Sequence, residues 1–146
     1  MKHYLGITMG DPSGIGPEIV IKALTKKEIY DECIPVVYGD VDPLLDAIRF
    51  CNVNLKINVI TTPSEAKGEC GIVDLIPLAI INFGDWQYKT VSKSSGDASF
   101  QYILKAIEDA LSKKIDGVVT GPINKESLHL AGHNYSGHTE IFAEYT

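Results

Sequence analysis

Short apolar runs rich in β-branched residues alternate along this chain with stretches whose apolar residues recur at helical spacing. That alternation limits the possible folds more than any other feature. Residues 4–9 and 34–38 read as buried strands, closed by Gly10 and by Gly39-Asp40, and residues 56–60 and 115–120 have the same character. Between them, residues 17–24 place Ile19, Val20, Ala23 and Leu24 at helical spacing, with Pro17 suited to a first helical turn. Residues 43–50 do the same with Leu44, Leu45, Ala47 and Ile48. Residues 61–69 form a turn-rich connector, and residues 72–80 are extended but interrupted by Pro77, which marks an edge or a bulge. The clearest helix begins near Ser94, with Asp97 three residues on in a near capping box, and Phe100, Ile103, Ala106 or Ile107, and Ala110 along one face. Such alternation implies an α/β domain with a largely parallel sheet. Ligands of these sheets bind beyond the carboxyl ends of the strands, so the loops after Met9 and after Val119 are the candidate sites.

The 146 residues suffice for one domain with a sizeable core, and 45% apolar with 22% charged residues is ordinary for a soluble globular protein. A formal charge of −6 argues against a duplex nucleic acid or an anionic membrane as partner. Lys26-Lys27 and Lys113-Lys114 are the only basic doublets and read as solvated helix ends. Cys33, Cys51 and Cys70 are widely spaced with no CxxC pair, which suggests buried, inert thiols in a reducing compartment. With neither a signal-peptide pattern nor a run of about 18 apolar residues, the expected location is the cytoplasm.

The first candidate loop is GDPSGIGPE, residues 10–18. Gly14 and Gly16 allow a tight turn and close approach of the backbone to a ligand, and Pro17 opens a helix whose free amides attract anions. It is not a phosphate-binding Walker loop, because no Gly-Lys-Ser/Thr follows. It is not GxGxxG, because Ile19 stands where the third glycine belongs. A plain strand-to-helix turn stands beside the functional reading, in which Asp11, Gly14 and Gly16 are ligand-proximal. The second loop belongs to TGPINKESLHLAGHNYSGHTE, residues 120–140. Asn124 is a good N-cap. Lys125 opposes the helix dipole, which makes sense if it faces an anion, the alternative being a solvent-pointing lysine. Gly132 ends that helix. His138, Thr139 and Glu140 then sit on a glycine turn at the surface, where imidazole and hydroxyl can donate to phosphate or carboxylate oxygens. His129, His133 and His138 are separated by four and five residues. His129 and His133 would share a helix face only if the helix ran through Gly132, so a three-histidine metal site within this chain is not expected.

The segments ITMGDPSGIGPEI and TGPINKESLHLAG…SGHTEIF, with SGDASFQYILKAIEDAL between them, resemble the 4-hydroxythreonine-4-phosphate dehydrogenase (PdxA) family of vitamin B6 (pyridoxal phosphate) biosynthesis. The resemblance runs in order across essentially the whole chain. It implies a three-layer α/β fold like that of the isocitrate and isopropylmalate dehydrogenases, with a mostly parallel sheet. It also implies an NAD-dependent oxidation and decarboxylation of 4-phosphooxy-threonine assisted by a divalent metal (Zn, Mg or Co), in a homodimer with its active site at the subunit interface. The family's His-Thr substrate pair falls on His138 and Thr139, and Lys125 joins them as a candidate. The family's metal-binding histidines come later, beyond Thr146, so no metal ligand is assigned within this chain, and no catalytic residue either. The expectation is therefore that residues 1–146 are the N-terminal α/β portion of a longer two-domain dehydrogenase, truncated and inactive alone. Threonate or erythronate 4-phosphate is an alternative substrate. A non-catalytic phosphate-binding fragment and an assembly fragment without a ligand are the rival readings.

Overall fold

A computed structural model describes residues 1–81 and 86–146. Five strands, β1 (His3–Thr8), β2 (Cys33–Gly39), β3 (Lys56–Val59), β4 (Ile72–Pro77) and β5 (Gly117–Thr120), pair in the order β3-β4-β2-β1-β5. Every pairing is parallel, with Thr8 opposite both Tyr38 and Thr120. The helices are α1 (Gly16–Ala23), α2 (Lys27–Glu32), α3 (Val41–Phe50), α4 (Lys93–Leu111), α5 (Lys125–Leu130) and α6 (His138–Tyr145). The α/β class and the parallel sheet are as expected. No helix among the described residues is long and apolar enough to cross a membrane.

The alternation of side chains along a strand sorts the layers. Tyr38 points to α4, where its hydroxyl donates to Asp109 Oδ2 at 2.8 Å. Its register partners Thr8 and Thr120 share that face, while Leu5 and Ile7 look the other way, toward α1. The core joins Met9, Ile21, Val36, Val37, Tyr38, Leu44, Leu75 and Tyr102, each fully buried. Burial and the Asp109 carboxylate both push the Tyr38 hydroxyl's pKa far up, so the pair stays a neutral donor on a carboxylate. Buried Asp40 is likewise satisfied. It accepts from Tyr102 Oη at 2.5 Å and from the backbone N–H groups of Ala79, Ile80 and Ile81 at 2.6, 3.2 and 3.0 Å, shaping the turn after β4.

Several expectations are corrected. Of the three cysteines expected to be buried, only Cys33 is; Cys51 is half-buried and Cys70, in the connector before β4, is exposed. β4 is an interior strand, not an edge or a bulge: Pro77 is its last residue, and the pairing with β3 ends at Leu75, so the missing donor costs no ladder bond. α2 was not anticipated. Lys26 and Lys27 begin it rather than ending α1, and Lys27 is compensated by Asp31 at 3.3 Å, one turn on. The cap of α4 is Ser92, whose Oγ accepts from Ser95 N at 3.2 Å, and Asp97 instead bonds His133 at 2.9 Å. α4 buries two faces, not one. Ala98, Tyr102 and Ala106 join the main core, and Phe100, Ile103 and Ile107 form a second core with Leu128 of α5 and Ile141 of α6. Gly96 makes this second contact possible, because a Cβ there would lie 1.9 Å from the Ser127 carbonyl oxygen.

Candidate functional site

Strands β1 and β5 are neighbours, and the loops leaving their carboxyl ends meet. β2 lies on one side of β1 and β5 on the other, so the crossovers diverge here, which is where ligands settle in open α/β sheets. Asp11 N–H donates to Pro122 O at 2.9 Å, and Gly121 N–H donates to Thr8 O at 2.9 Å. The approach admits no side chain at either crossing. Gly10 has φ of 79°, and a Cβ on it would lie 2.4 Å from Pro122 O; one on Gly121 would lie 2.6 Å from Thr8 O. These two glycines were not singled out from the sequence, since nothing local distinguishes a glycine demanded by a distant strand.

The residues that were singled out separate. Gly16 is buried at the start of α1, where a Cβ would be 2.1 Å from Met9 O; it serves the chain's own packing. Gly14 is exposed, and its nearest neighbours, Asp11 atoms, stand at an ordinary 3.6 Å. Asp11 is buried under the loop and accepts from Ser13 N–H at 2.8 Å. Burial raises its carboxyl pKa above the usual value, and the Ser13 bond opposes this only in part. The Ser13 and Ser95 hydroxyls, both buried, lie 2.6 Å apart and fasten the loop to α4.

On the β5 side, Asn124 caps α5 as expected, accepting from Ser127 N–H at 2.8 Å. Lys125 is exposed on the first turn. An anion within its reach belongs to the chain itself: Glu140, whose carboxyl pKa is lowered chiefly by its hydrogen bonds from Ser136, with a smaller contribution from the Lys125 charge. His138 does not sit on a surface turn. It opens α6 behind Gly137, half-buried. Burial lowers its imidazole pKa below the usual value, while the nearby Gly121 backbone pulls the other way without forming a hydrogen bond of normal geometry. Its Nε2 is buried without a hydrogen-bond partner among the described residues. Thr139, next to it, is exposed. Thus the structure gathers Gly10, Asp11, Gly121 and His138 at one end of two adjacent strands. Lys125 stays exposed beside them, near the Glu140 carboxylate but without an ion pair to it, and Gly14 faces solvent.

The other two histidines of residues 120–140 are structural. His129 Nε2 lies 3.1 Å from Tyr135 O, and His133 is stacked on Phe100 with ring centroids 3.8 Å apart while bonding Asp97. Among the described residues no group of three or more His, Cys, Asp or Glu side chains converges on one point. The donors among the described residues therefore do not by themselves make a metal centre.

A parallel α/β sheet with two interlocked glycine loops at its carboxyl edge, and a histidine nitrogen beside them without a hydrogen-bond partner among the described residues, defines an α/β domain with a candidate ligand site at a strand-order switch. Residues 31–146 match the family model described as pyridoxal phosphate biosynthetic protein PdxA, and the chain belongs to that family. A Clostridium botulinum protein named as a D-threonate 4-phosphate dehydrogenase is 46% identical over 145 residues, and one from Symbiobacterium thermophilum with the same name is 47% identical. Each match covers 99% of this chain and 43% of the relative. The crystal structure of a 4-hydroxythreonine-4-phosphate dehydrogenase from Burkholderia phymatum superposes with a TM-score of 0.95 at 43% identity, covering 99% of this chain and 44% of that one. The corresponding enzyme from Klebsiella pneumoniae gives 0.94 at 34% identity, covering 100% of this chain and 44% of its own. The chain thus spans less than half the length of these relatives.

Proposed function

We propose that this chain supplies the phosphate-binding part of the substrate site of a dehydrogenase acting on a four-carbon hydroxy acid phosphate. The observation that carries the reading is His138. Its buried Nε2 has no hydrogen-bond partner among the described residues, at the edge where the β1 and β5 loops interlock. A buried polar nitrogen without a hydrogen bond costs about 1–3 kcal/mol, and a phosphate oxygen would relieve that cost. Thr139 adds a neutral hydroxyl donor and Lys125 an exposed charge nearby. Asp11, Gly10 and Gly121 hold the two loops in place around them.

D-threonate 4-phosphate is the favoured substrate, because relatives at 46–47% identity carry that name. 4-Phosphooxy-threonine, of vitamin B6 biosynthesis, is the second reading, supported by the names of solved relatives at 34–43% identity. NAD as hydride acceptor, decarboxylation, a divalent metal, a homodimer and a cytoplasmic setting belong to the proposal for a longer two-domain enzyme of this family. The described residues contribute substrate binding, and no metal-dependent step is assigned to them.

The test compares D-threonate 4-phosphate with D-threonate by calorimetry, using wild type, His138→Gln and Thr139→Ala. Binding is expected only for the phosphorylated acid. His138→Gln should weaken it by about 1.5–3 kcal/mol, the worth of a charge-assisted hydrogen bond, roughly a tenfold to hundredfold rise in Kd. Thr139→Ala should cost less. Equal affinity for both acids, or no effect of His138→Gln, overturns the reading.

A further inference from the structure

The amino-terminal edge of the sheet carries a pocket of about 500 Å³, at the opposite end of β1 from the loops around His138. Three segments distant in sequence line it: Lys2 and His3 at the start of β1, Ser64 in the connector between β3 and β4, and Lys113 and Lys114 in the turn from α4 to β5. The chain as a whole has a net charge of −6, yet here three lysines stand around one carboxylate, Asp116. That carboxylate is engaged within the chain: it accepts from Tyr4 N–H at 2.9 Å and lies 3.4 Å from His3 Nδ1. The lysines are compensated less. Lys2 Nζ donates to the Tyr30 carbonyl oxygen at 2.7 Å, a neutral partner that fixes the ammonium without cancelling its charge. Lys114 Nζ is 3.9 Å from Asp109 Oδ1, at the limit of an ion pair, and Lys105 sits closer to that oxygen at 3.2 Å. Lys113 makes no ion pair among the described residues. Its φ of 61° is left-handed, a conformation that glycine or asparagine adopts at less cost, so the turn keeps a lysine where its backbone favours another residue. Ser64 adds an exposed hydroxyl. A solvated helix end accounts for Lys113 and Lys114 alone, but not for Lys2 and Ser64 reaching the same pocket from two other elements.

We propose that this pocket is a second ligand site, which takes the phosphate group of a small organic phosphate. Ammonium groups and a hydroxyl supply the donors that phosphate oxygens accept. A phosphate monoester carries close to two charges and three acceptor oxygens, which matches cations arriving from separate segments better than the single charge of a carboxylate does. The volume lies within the range of small-molecule pockets, about 300–1,000 Å³. A duplex nucleic acid is the wrong partner, because the rest of a chain of net charge −6 would repel it. The site is independent of the one around His138 and of the identity of the substrate there.

The experiment titrates the ¹⁵N-labelled chain with glycerol 3-phosphate and with inorganic phosphate, holding ionic strength constant with chloride, and follows the backbone amides. Saturable shifts are expected at Ser64, Lys113 and Lys114, with the ester binding more tightly because the pocket has room beyond its phosphate group. The double variant Lys113→Gln/Lys114→Gln, read at the Ser64 amide, should raise Kd at least about tenfold, the loss expected for one charge-assisted hydrogen bond. Both side chains are exposed, so its thermal transition should match wild type. Lys113→Arg/Lys114→Arg should restore binding. The Ser64 shifts should persist in His138→Gln, so the two sites succeed or fail separately. Shifts that never saturate overturn the proposal, as does an unchanged Kd in the glutamine variant or loss of the Ser64 shifts in His138→Gln. Inorganic phosphate binding more tightly than the ester overturns the organic ligand, and hexaglutamate binding more tightly than either phosphate overturns the phosphate assignment in favour of an acidic peptide.

Discussion

Gly16 and Gly14 lie two residues apart in the first glycine loop, and the structure separates their roles sharply. In Gly16→Ala the new Cβ would be 2.1 Å from the Met9 carbonyl oxygen, whereas relaxed carbon–oxygen contacts are about 3.3 Å or longer. The obstacle is backbone at the end of the central strand β1, so no side chain can rotate away. α1 must instead retreat by roughly 1 Å, disturbing Val20 and Ile21, which are 3% and 0% exposed. Overpacking of this kind costs about 1–3 kcal/mol, and a backbone obstacle places Gly16→Ala near 3 kcal/mol. In Gly14→Ala the nearest atoms are at 3.6 Å and the site faces solvent, so the change should stay within about 0.5 kcal/mol. Urea denaturation followed by far-ultraviolet circular dichroism measures both. With an m-value of about 1–3 kcal/mol/M, the Gly16→Ala midpoint should fall by more than about 1 M while Gly14→Ala stays near wild type. Equal midpoints for the two variants would refute the loop geometry, and so would a Gly16→Ala protein as stable as wild type.

Three further outcomes follow from the same geometry. His138 has a folded-state pKa below its unfolded value, so between the two the unfolded chain binds the extra proton; stability should fall as pH drops from about 6.5 through the lower folded pKa, and His138→Gln should flatten that slope in pH-dependent melts. His133→Ala removes the stack on Phe100 and the bond to Asp97, so it should destabilise the second core by about 1 kcal/mol in equilibrium unfolding without altering phosphate binding. The purified chain, given NAD, a divalent metal and D-threonate 4-phosphate, should produce no absorbance at 340 nm, because its histidines do not assemble a metal centre; metal-dependent NADH formation would contradict the site assignment.

Much of this architecture could be read from residue patterns, and the misses have physical reasons. The strands announced themselves because an all-parallel sheet is buried on both faces and needs continuous β-branched runs, as in residues 34–38. α2 escaped notice because six residues with only Ile29 and Tyr30 apolar show no periodicity, and so short a helix is stabilised by packing rather than propensity. Pro77 suggested an edge because a proline forfeits a donor, but whether that donor has a partner depends on where β3 stops. The second face of α4 was hidden because small residues, Gly96 and Ser127, create that contact by their lack of bulk. At the site, both loops were visible through their glycines. Which glycines matter was not, because Gly10 and Gly121 are constrained by each other's strands across 111 residues of sequence. His138 stood out by chemistry, while its burial against Gly121 required the fold.

The central claim is that His138 Nε2 awaits a phosphate oxygen. The most direct measurement follows the His138 ring nitrogens by long-range ¹⁵N NMR while D-threonate 4-phosphate is added across a pH series. The account predicts that saturating ligand shifts the Nε2 resonance and raises the His138 pKa from its depressed value, since a phosphate dianion stabilises the imidazolium, while His129 and His133 stay unchanged. A ligand that binds yet leaves the His138 titration where it was would contradict it.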